Sequence, residues 1–514
     1  MQGALGQAPG PVRPAASLSR GAARRLNELG GEGAIAEGTA GGTQPIGPPS
    51  QAAANPEARS RESSSQEGTS QDPRSQAHHS QAQHRQGEAN LDSPSQAAAS
   101  QEGVFEDSRL GASSAGERVV DPGTIEEGAV RLQAGSGFFR PESRPSRDLG
   151  VLLAQHLAAQ RRRDRPEAPG LRVLDLMAGC GIRSLRYGIE AGAAGVWAND
   201  ADPDRLALLQ ANLAGFGGGR CTTRTAQKLL AGCLLREQRF DLIDLDAFGC
   251  PSALVPLALE ALAFDGVLYL ASTDGRSPTG HDRPAAIRSL GAAARAHPAS
   301  WELALRLQLG VQARAAWVLG RGLEPLFSFS EGRTFRTAVR LRRKPGPQAE
   351  RQLGLLAHCH GCGDQQVQSL VQLRQWRPCL CPDQAQASLS ISGPLWIGPL
   401  QDPASLDAMA SLAGAASTSV CPAGARLLAK LRSDDGCPAR CWPLAELAKR
   451  LGGGPPALTP LVKALRQQGW SAQASAVMPA QLRSDAPWDR LLAVAAHVSQ
   501  ASSAPAPHDA ALNR

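Results

Sequence analysis

Residues 242–249 read LIDLDAFG, an apolar run that carries Asp244 and Asp246 and then breaks at Phe248 and Gly249. A run this apolar reads as a strand covered on both faces, where a carboxylate is costly unless it has a partner. Two readings stand: strand-end acids facing solvent, or a carboxylate held for work on a ligand. In the second, Asp246 accepts hydrogen bonds from an exocyclic amine and later takes its proton, while Phe248 stacks on the base.

Two further stretches have matching chemistry. DLMAGCGIR (175–183) puts Asp175 near a strand end, then Gly179 and Gly181 where the backbone can approach a ligand, then a helix. AND (198–200) ends the next strand on Asp200, an acid able to hydrogen-bond a ribose diol. A glycine loop alone is equally a tight turn, but the second acid favours a nucleoside. A dinucleotide loop wants G-x-G-x-x-G, and this loop runs Gly179-Cys180-Gly181-Ile182-Arg183-Ser184 with no third glycine. That tilts the reading to S-adenosylmethionine, which has no pyrophosphate to cradle. Such a site suits methyl transfer to a nucleobase nitrogen, where holding amine, methyl and sulfonium in line supplies most of the rate.

The elements that must position these residues follow from the alternation of apolar runs. LRVLDLMAG (171–179), GVWAND (195–200), FDLIDLDAFG (240–249) and GVLYLAST (266–273) read as strands. IRSLRYGIEAG (182–192), PDRLALLQANLAGFG (203–217) and SALVPLALEALA (252–263) read as helices between them. This alternation predicts right-handed crossovers and a mainly parallel, doubly wound α/β sheet. Residues 342–351, RRKPGPQAER, read as a linker. Beyond it come a cysteine-bearing segment (355–400) and PLAELAKRLGGGPPALTPLVKALRQQGW (443–470), two helices about a Gly/Pro turn that suggest a winged-helix-like module.

At 514 residues the chain exceeds one ordinary domain, since roughly 150 residues per domain is the prior. Its first aromatic residue is Phe105, and the Ser, Gln, Ala, Gly and Pro before it cannot bury enough surface to order, so a disordered tail is expected over 1–115. The net charge of +7 permits an anionic partner such as nucleic acid. No apolar run approaches a bilayer span and no secretory h-region opens the chain, so a cytoplasmic, soluble protein is expected. The start, GPVRPAASLSRGAARR, could also pass for a transit peptide. All 11 cysteines lie from Cys180 onward in no disulfide-like framework, which favours reduced thiols.

At this point the residues carry a resemblance. The chain resembles the tRNA (guanine(26)-N2)-dimethyltransferase family from about residue 120 to 490. EEGAVRLQAGSGFFRPESRPSRDLG (126–150) is similar to the family's opening motif, GCGIRSLR and VWAND to its cofactor motifs, and DLDAFGCP to its D-x-D-P-F-G-x-P. ELALRL (302–307) and EPLFSFSEGRTFR (324–336) resemble its sheet-closing segment, GPLWIGPL (393–400) is a family signature, and LRSDAPW (482–488) matches its C-terminal domain.

The resemblance implies a Rossmann-like class I methyltransferase domain over 116–345, a smaller C-terminal α+β, tRNA-binding domain over 346–490, and a disordered tail over 491–514. It implies an enzyme that dimethylates a guanine N2 in tRNA with S-adenosylmethionine. Arg147 and Arg183 would contact that cofactor with Asp200 on its ribose, Asp246 would be the catalytic acid and base, and Ala247 and Phe248 would shape the pocket. Thr225-Ala226 stands where the family has Asp-Ala facing the adenine amine; a threonine hydroxyl can still accept a hydrogen bond. Ala247 replaces a proline, and SRDL replaces N-R-D-L.

Family members often carry four zinc ligands in the cysteine-bearing segment. Cys359 and Cys362 have C-x2-C spacing, but Cys379 and Cys381 are one residue short of it, a pair expected to share a tetrahedral ion less readily. His358 and His360 are alternative ligands, and a loop of free Cys and His is the other reading. Lys449, Arg450, Lys463 and Arg466 could reach tRNA phosphates or simply form a solvated face. No protein partner is inferred and a monomer is expected. The rival readings are a nicotinamide-dependent oxidoreductase and a catalytically inactive tRNA-binding protein.

Overall fold

The structure, a computed structural model, describes residues 123–135, 139–379, 381, 388–415 and 420–503. The tail expected over 1–115 lies outside these residues. A hairpin of β1 (Thr124–Glu127) and β2 (Val130–Gln133) precedes α1 (Arg144–Asp164). The central sheet then builds through β3 (Arg172–Asp175), α2 (Ile182–Ile189), β4 (Gly195–Asp200), α3 (Leu206–Leu213), β5 (Gly219–Thr223), α4 (Ala226–Leu235), β6 (Phe240–Ala247), α5 (Val255–Ala261) and β7 (Leu262–Ser272). Two helices, α6 (Arg283–Leu290) and α7 (Ser300–Val318), lead to β8 (Gly322–Glu331) and β9 (Thr334–Arg342).

The seven strands lie in the order β5-β4-β3-β6-β7-β9-β8, the first five parallel and the last two antiparallel to their neighbours. The doubly wound α/β expectation therefore holds. Chain order runs outward from β3 to β5, then restarts at β6 on β3's other side, so the switch point lies between β3 and β6. Between β4 and β6 the sequence reading assigns nothing after residue 217, and the structure places β5 and α4 there. β5 is a half-exposed edge strand, GRCTT, with no apolar run to announce it.

Alternation along the strands divides the core in two. Leu174, Ile243 and Leu268 face α4, α5 and α7. Val173, Leu242 and Val267 face α1 and α2. That second face is also covered by α8 (Pro403–Ala415) and α9 (Pro422–Arg432), whose Leu406, Met409, Leu428 and Leu431 are buried with Leu149 and Leu152 of α1. Cys421 N donates to the buried Asp148 of α1 at 2.8 Å.

Between β9 and α8 in the chain, β10 (Leu353–Cys359), β11 (Gln365–Ser369) and β12 (Leu389–Trp396) form a small antiparallel sheet in the order β11-β10-β12. Its strand β12 crosses α7 at Gly310, where a Cβ would come within 3.0 Å of Leu395 Cα and 3.2 Å of Pro394 O. Arg306, one turn earlier, is fully buried and donates to the carbonyls of Trp396 and Gly398 at 3.2 and 3.0 Å.

The last module is β13 (Cys441–Pro443), α10 (Leu444–Leu451), α11 (Leu458–Gln467), β14 (Ala472–Ala474) and β15 (Gln481–Ser484), the strand–helix–helix–strand–strand order of a winged helix. α12 (Trp488–Ser503) packs against it. This corrects the tail expected from 491: Leu491, Val494, Ala495 and Val498 recur at helical spacing and are buried. The Ala/Ser composition hid that stripe; positions 504–514 lie outside the described residues. Glu302 of α7 accepts from Arg306 at 2.8 Å and from Arg483 of β15, and Arg483 also reaches Asp434 at 3.2 Å. No helix among the described residues is long and apolar enough to cross a membrane.

Candidate active site

Register places the acids. Asp175 of β3 pairs with Asp244 of β6, and Asp244 with Tyr269 of β7. One pleat further on, Asp246 pairs with Ala271 of β7, and Ala271 with Arg336 of β9. Residues opposite one another across strands share a face, as do residues two apart. The two rows therefore face the same side, toward α2, at the carboxyl ends of the strands beside the switch point.

Helix α2 starts at Gly181, whose φ of 84° favours glycine. Its first turns bring three side chains onto the acids. Ser184 Oγ donates to Asp175 Oδ2 at 2.7 Å, and Tyr187 donates its hydroxyl to Asp244 Oδ2 at 2.5 Å. Arg183 reaches Asp244 at 3.6 Å, Asp246 at 3.2 Å and Ser146 Oγ at 3.3 Å. Burial, then the charge of Asp244, pushes the Asp175 carboxyl up to about 8, and burial raises Asp244 as well. Asp246 is the opposite case: burial would raise it, but Arg336 and then Arg183 outweigh burial and hold it below the usual carboxylate range. Its side chain is 27% exposed, so it is the member of the cluster that a ligand can touch. Ala247 is buried beside it, and Phe248 stands 80% exposed at the strand's end.

The glycine loop and second strand end meet as the sequence suggested. Gly179 N donates to Asp200 Oδ2 at 2.9 Å, and Asp202 N to Oδ1 at 3.0 Å. Gly179 has φ 56°, and a Cβ there would meet nothing within 4 Å, so the loop borders open space. Each Asp200 oxygen retains a lone pair for a hydroxyl. Thr225 caps α4 by accepting from Lys228 N at 3.4 Å, and Ala226 is the buried first residue of that helix. These residues fit a nucleoside with a diol and no phosphate.

Arg147 sits differently. It forms a bidentate pair with Glu127 of the hairpin at 2.8 and 2.5 Å and donates to Arg140 O at 3.0 Å, so only its remaining N–H groups could meet a ligand. Sequence reasoning missed Arg336, Tyr187, Ser184 and Tyr269. Arg336 lay inside the segment GRTFR, but nothing in its local spacing says that it reaches across a strand.

In the C-terminal half, Cys359, Cys362, Cys379 and Cys381 bring their Sγ atoms within 4.8 Å of one another, with Cys359 and Cys381 at 3.6 Å. Thiolates about 2.3 Å from one tetrahedral zinc would stand at comparable separations. The short C-x-C spacing is no obstacle, because the first pair is presented by β10 and the turn closed by Gly363 N on Cys359 O at 2.8 Å. His358 and His360 lie outside this group: His360 Nε2 is 2.9 Å from Ser390 Oγ, and His358 is buried edge-on to His297. Trp442 and Trp488 donate to Gly363 O and Cys362 O at 2.9 and 3.0 Å, and Arg450 to Gly361 O. Arg450 is thus turned onto the cysteine turn, whereas Lys449, Lys463 and Arg466 are exposed.

Residues 123–496 match the family model described as N2,N2-dimethylguanosine tRNA methyltransferase. A tRNA (guanine(26)-N(2))-dimethyltransferase of Methanosphaerula palustris is 32% identical over 360 residues, covering 69% of this chain and 90% of the relative. One from Thermococcus kodakarensis is 27% identical, covering 70% and 93%. Among solved structures, Trm1 from Pyrococcus horikoshii with S-adenosyl-L-methionine matches with a TM-score of 0.61 at 23% identity, covering 72% of this chain and 99% of that one, a likeness of fold.

Proposed function

The chain belongs to the N2,N2-dimethylguanosine tRNA methyltransferase family, and on that premise we propose that it transfers methyl groups from S-adenosylmethionine to the exocyclic N2 of a guanine in tRNA. Position 26 is the one for which its relatives are named, and N2,N2-dimethylguanosine is the product. The observation that carries the reading is Asp246: a partly exposed carboxylate at the switch point, with an exposed aromatic two residues on.

S-adenosylmethionine, when bound, would supply a methyl carbon on a sulfonium, an electrophile for the amine with a neutral thioether as the leaving group. The chain's residues do the rest. Gly179 gives the backbone room at the loop, Asp200 accepts from a ribose hydroxyl, and Thr225 and Ala226 border the adenine. Arg183 and Arg147 would contact the methionine end. Asp246 accepts a hydrogen bond from the guanine amine, which aims the nitrogen lone pair and stabilises positive charge as it develops. It then takes the proton and, because its flanking arginines keep it acidic, passes that proton to solvent. Phe248 stacks on the guanine once it leaves its stack. A second transfer needs reorientation of the monomethylated base and fresh cofactor. Cys359, Cys362, Cys379 and Cys381 would hold a structural zinc with no part in the chemistry. The same reading has the protein act as a monomer in the cytoplasm, a reducing compartment suited to cysteines that form no disulfide among the described residues.

Transfer of labelled methyl groups to unmethylated tRNA, followed by nucleoside analysis, tests this. N2-methylated guanosine is expected from the wild type, and Asp246→Ala is expected to lose about 100-fold or more. Undiminished product from the variant would remove Asp246 from the mechanism. No product from either, with tRNA still bound, would make the chain a binding protein.

A further inference from the structure

Asp246 is held from two sides, and both arginines address the same oxygen. Arg183 Nη2 lies 3.2 Å from Oδ2 and Arg336 Nη2 lies 3.1 Å from it. No hydrogen bond to Oδ1 is found among the described residues. Arg183 arrives from α2, one turn from the glycine loop. Arg336 arrives from β9, two strands away from β6, a lateral distance of about 9.6 Å.

What lets it arrive is the residue in between. Asp246, Ala271 and Arg336 occupy one row across the sheet, so the guanidinium must pass over position 271 to meet the carboxylate. Ala271 is fully buried and presents only a methyl group there. Both guanidinia also lean on a single ring: the carbon of each lies 5.9 Å from the centroid of Tyr269, whose hydroxyl is fixed on Ser146 O at 2.8 Å. From behind, Glu331 of β8 stands 3.5 Å from Arg336 Nε.

We infer that Arg336 is a positioning residue for methyl transfer: with Arg183 it occupies Oδ2 of Asp246 and thereby leaves Oδ1 as the one oxygen offered to the guanine amine. Ala271 is the spacer that makes the reach across β7 feasible. The inference rests on the reading of Asp246 as the amine's acceptor. A carboxylate gripped at one oxygen cannot rotate, so the free oxygen keeps a fixed direction relative to the incoming methyl carbon. The grip also keeps the carboxylate ionised among the acidic and phenolic groups that surround it, namely Asp244 on its own strand, Asp175 on β3, Tyr269 on β7, Tyr187 on α2 and Glu331 on β8.

Four variants of the full chain, assayed with tRNA and labelled S-adenosylmethionine across pH, test it: Asp246→Ala, Arg336→Gln, Arg336→Lys and Ala271→Val. Arg336→Gln is expected to lower kcat by roughly 10- to 100-fold, leave KM for S-adenosylmethionine within about 3-fold, and raise the acid limb of kcat by about one pH unit or more. Arg336→Lys keeps the charge without the planar fork, so the limb stays near its wild-type place while kcat falls. Ala271→Val keeps Arg336 but fills its path, and, in protein whose melting transition shows that it is folded, should reproduce the Arg336→Gln profile. If Asp246→Ala is inactive while Arg336→Gln and Ala271→Val keep the wild-type kcat and acid limb, Arg336 has no positioning role and the inference is overturned. If Asp246→Ala is itself active, the reading beneath it fails instead.

Discussion

Tyr187 and Asp244 share a hydrogen bond of 2.5 Å between a helix and the end of a neighbouring strand, with both side chains fully buried. Burial, and then the charge of Asp244, keeps the phenol protonated far above its ordinary range, so it is a permanent donor. Tyr187→Phe deletes that donor and leaves Asp244 to Arg183 alone. Urea unfolding should show a loss of about 1–3 kcal/mol.

Asp175 gives the protein a pH signature. Its folded carboxyl is pushed up to about 8 from an ordinary 3.8, so the native state holds a proton that the unfolded chain releases. The contribution of this group is therefore full below pH 3.8 and declines as pH rises toward about 8, by at most about 1.4 kcal/mol per pH unit. Asp175→Asn has no such proton, and its stability measured between pH 5 and pH 8, at roughly one-unit steps, should decline less than the wild type's. An unchanged slope would mean that Asp175 is ionised in the folded state.

Gly310→Ala should destabilise the chain by about 1–3 kcal/mol. The three atoms nearest its new methyl, Leu395 Cα, Pro394 O and Trp396 N, are all main-chain. None of them can swing aside as a side chain would. A melting temperature equal to the wild type's would show that α7 and β12 do not meet this closely.

Metal analysis of the purified protein should find about one zinc per chain. Cys359→Ser should lower that content, and the same variant should unfold earlier when followed by tryptophan fluorescence, since Trp442 and Trp488 donate to the carbonyls of the cysteine turn. Full zinc retention in the variant would place the metal elsewhere.

Lys449 and Lys463 are exposed on α10 and α11. Replacing both with glutamate should weaken tRNA binding and flatten its dependence on salt, by about one unit of slope for each phosphate that a lysine no longer neutralises. Methyl transfer at saturating tRNA should persist. Unaltered affinity would identify these lysines as a solvated face.

Much of the site was legible because its parts are local. A strand that ends on an acid, followed by glycines and a helix, is written in consecutive residues, and that grammar gives Asp175, Gly179, Gly181, Asp200 and Asp246 their places in the fold, although Asp175, read as a cofactor contact, is fully buried against Ser184 instead. What could not be read was lateral. Arg336 meets Asp246 only because β9 runs antiparallel beside β7 in a particular register, 90 residues away in sequence. Arg147, matched by motif, pairs with Glu127 of a hairpin that composition does not announce. The cysteines show the same limit in reverse: the C-x-C spacing favoured a shared ion less, while the fold brings Cys379 and Cys381 against the pair presented by β10 and its turn.

The helices α8 and α9 close the α1 face of the catalytic sheet with residues as late as Leu431. During synthesis the strands of that sheet leave the ribosome first, complete in number by Arg342, yet the face that α1 and α2 cover lacks its outer layer, α8 and α9, until Leu431 has been made. The nascent chain must therefore wait, its apolar face shielded by other means, until the second half arrives to cover it. A message truncated after the catalytic motifs would yield not a smaller methyltransferase but a sticky, half-covered sheet. Quality control would meet that product as a misfolded protein.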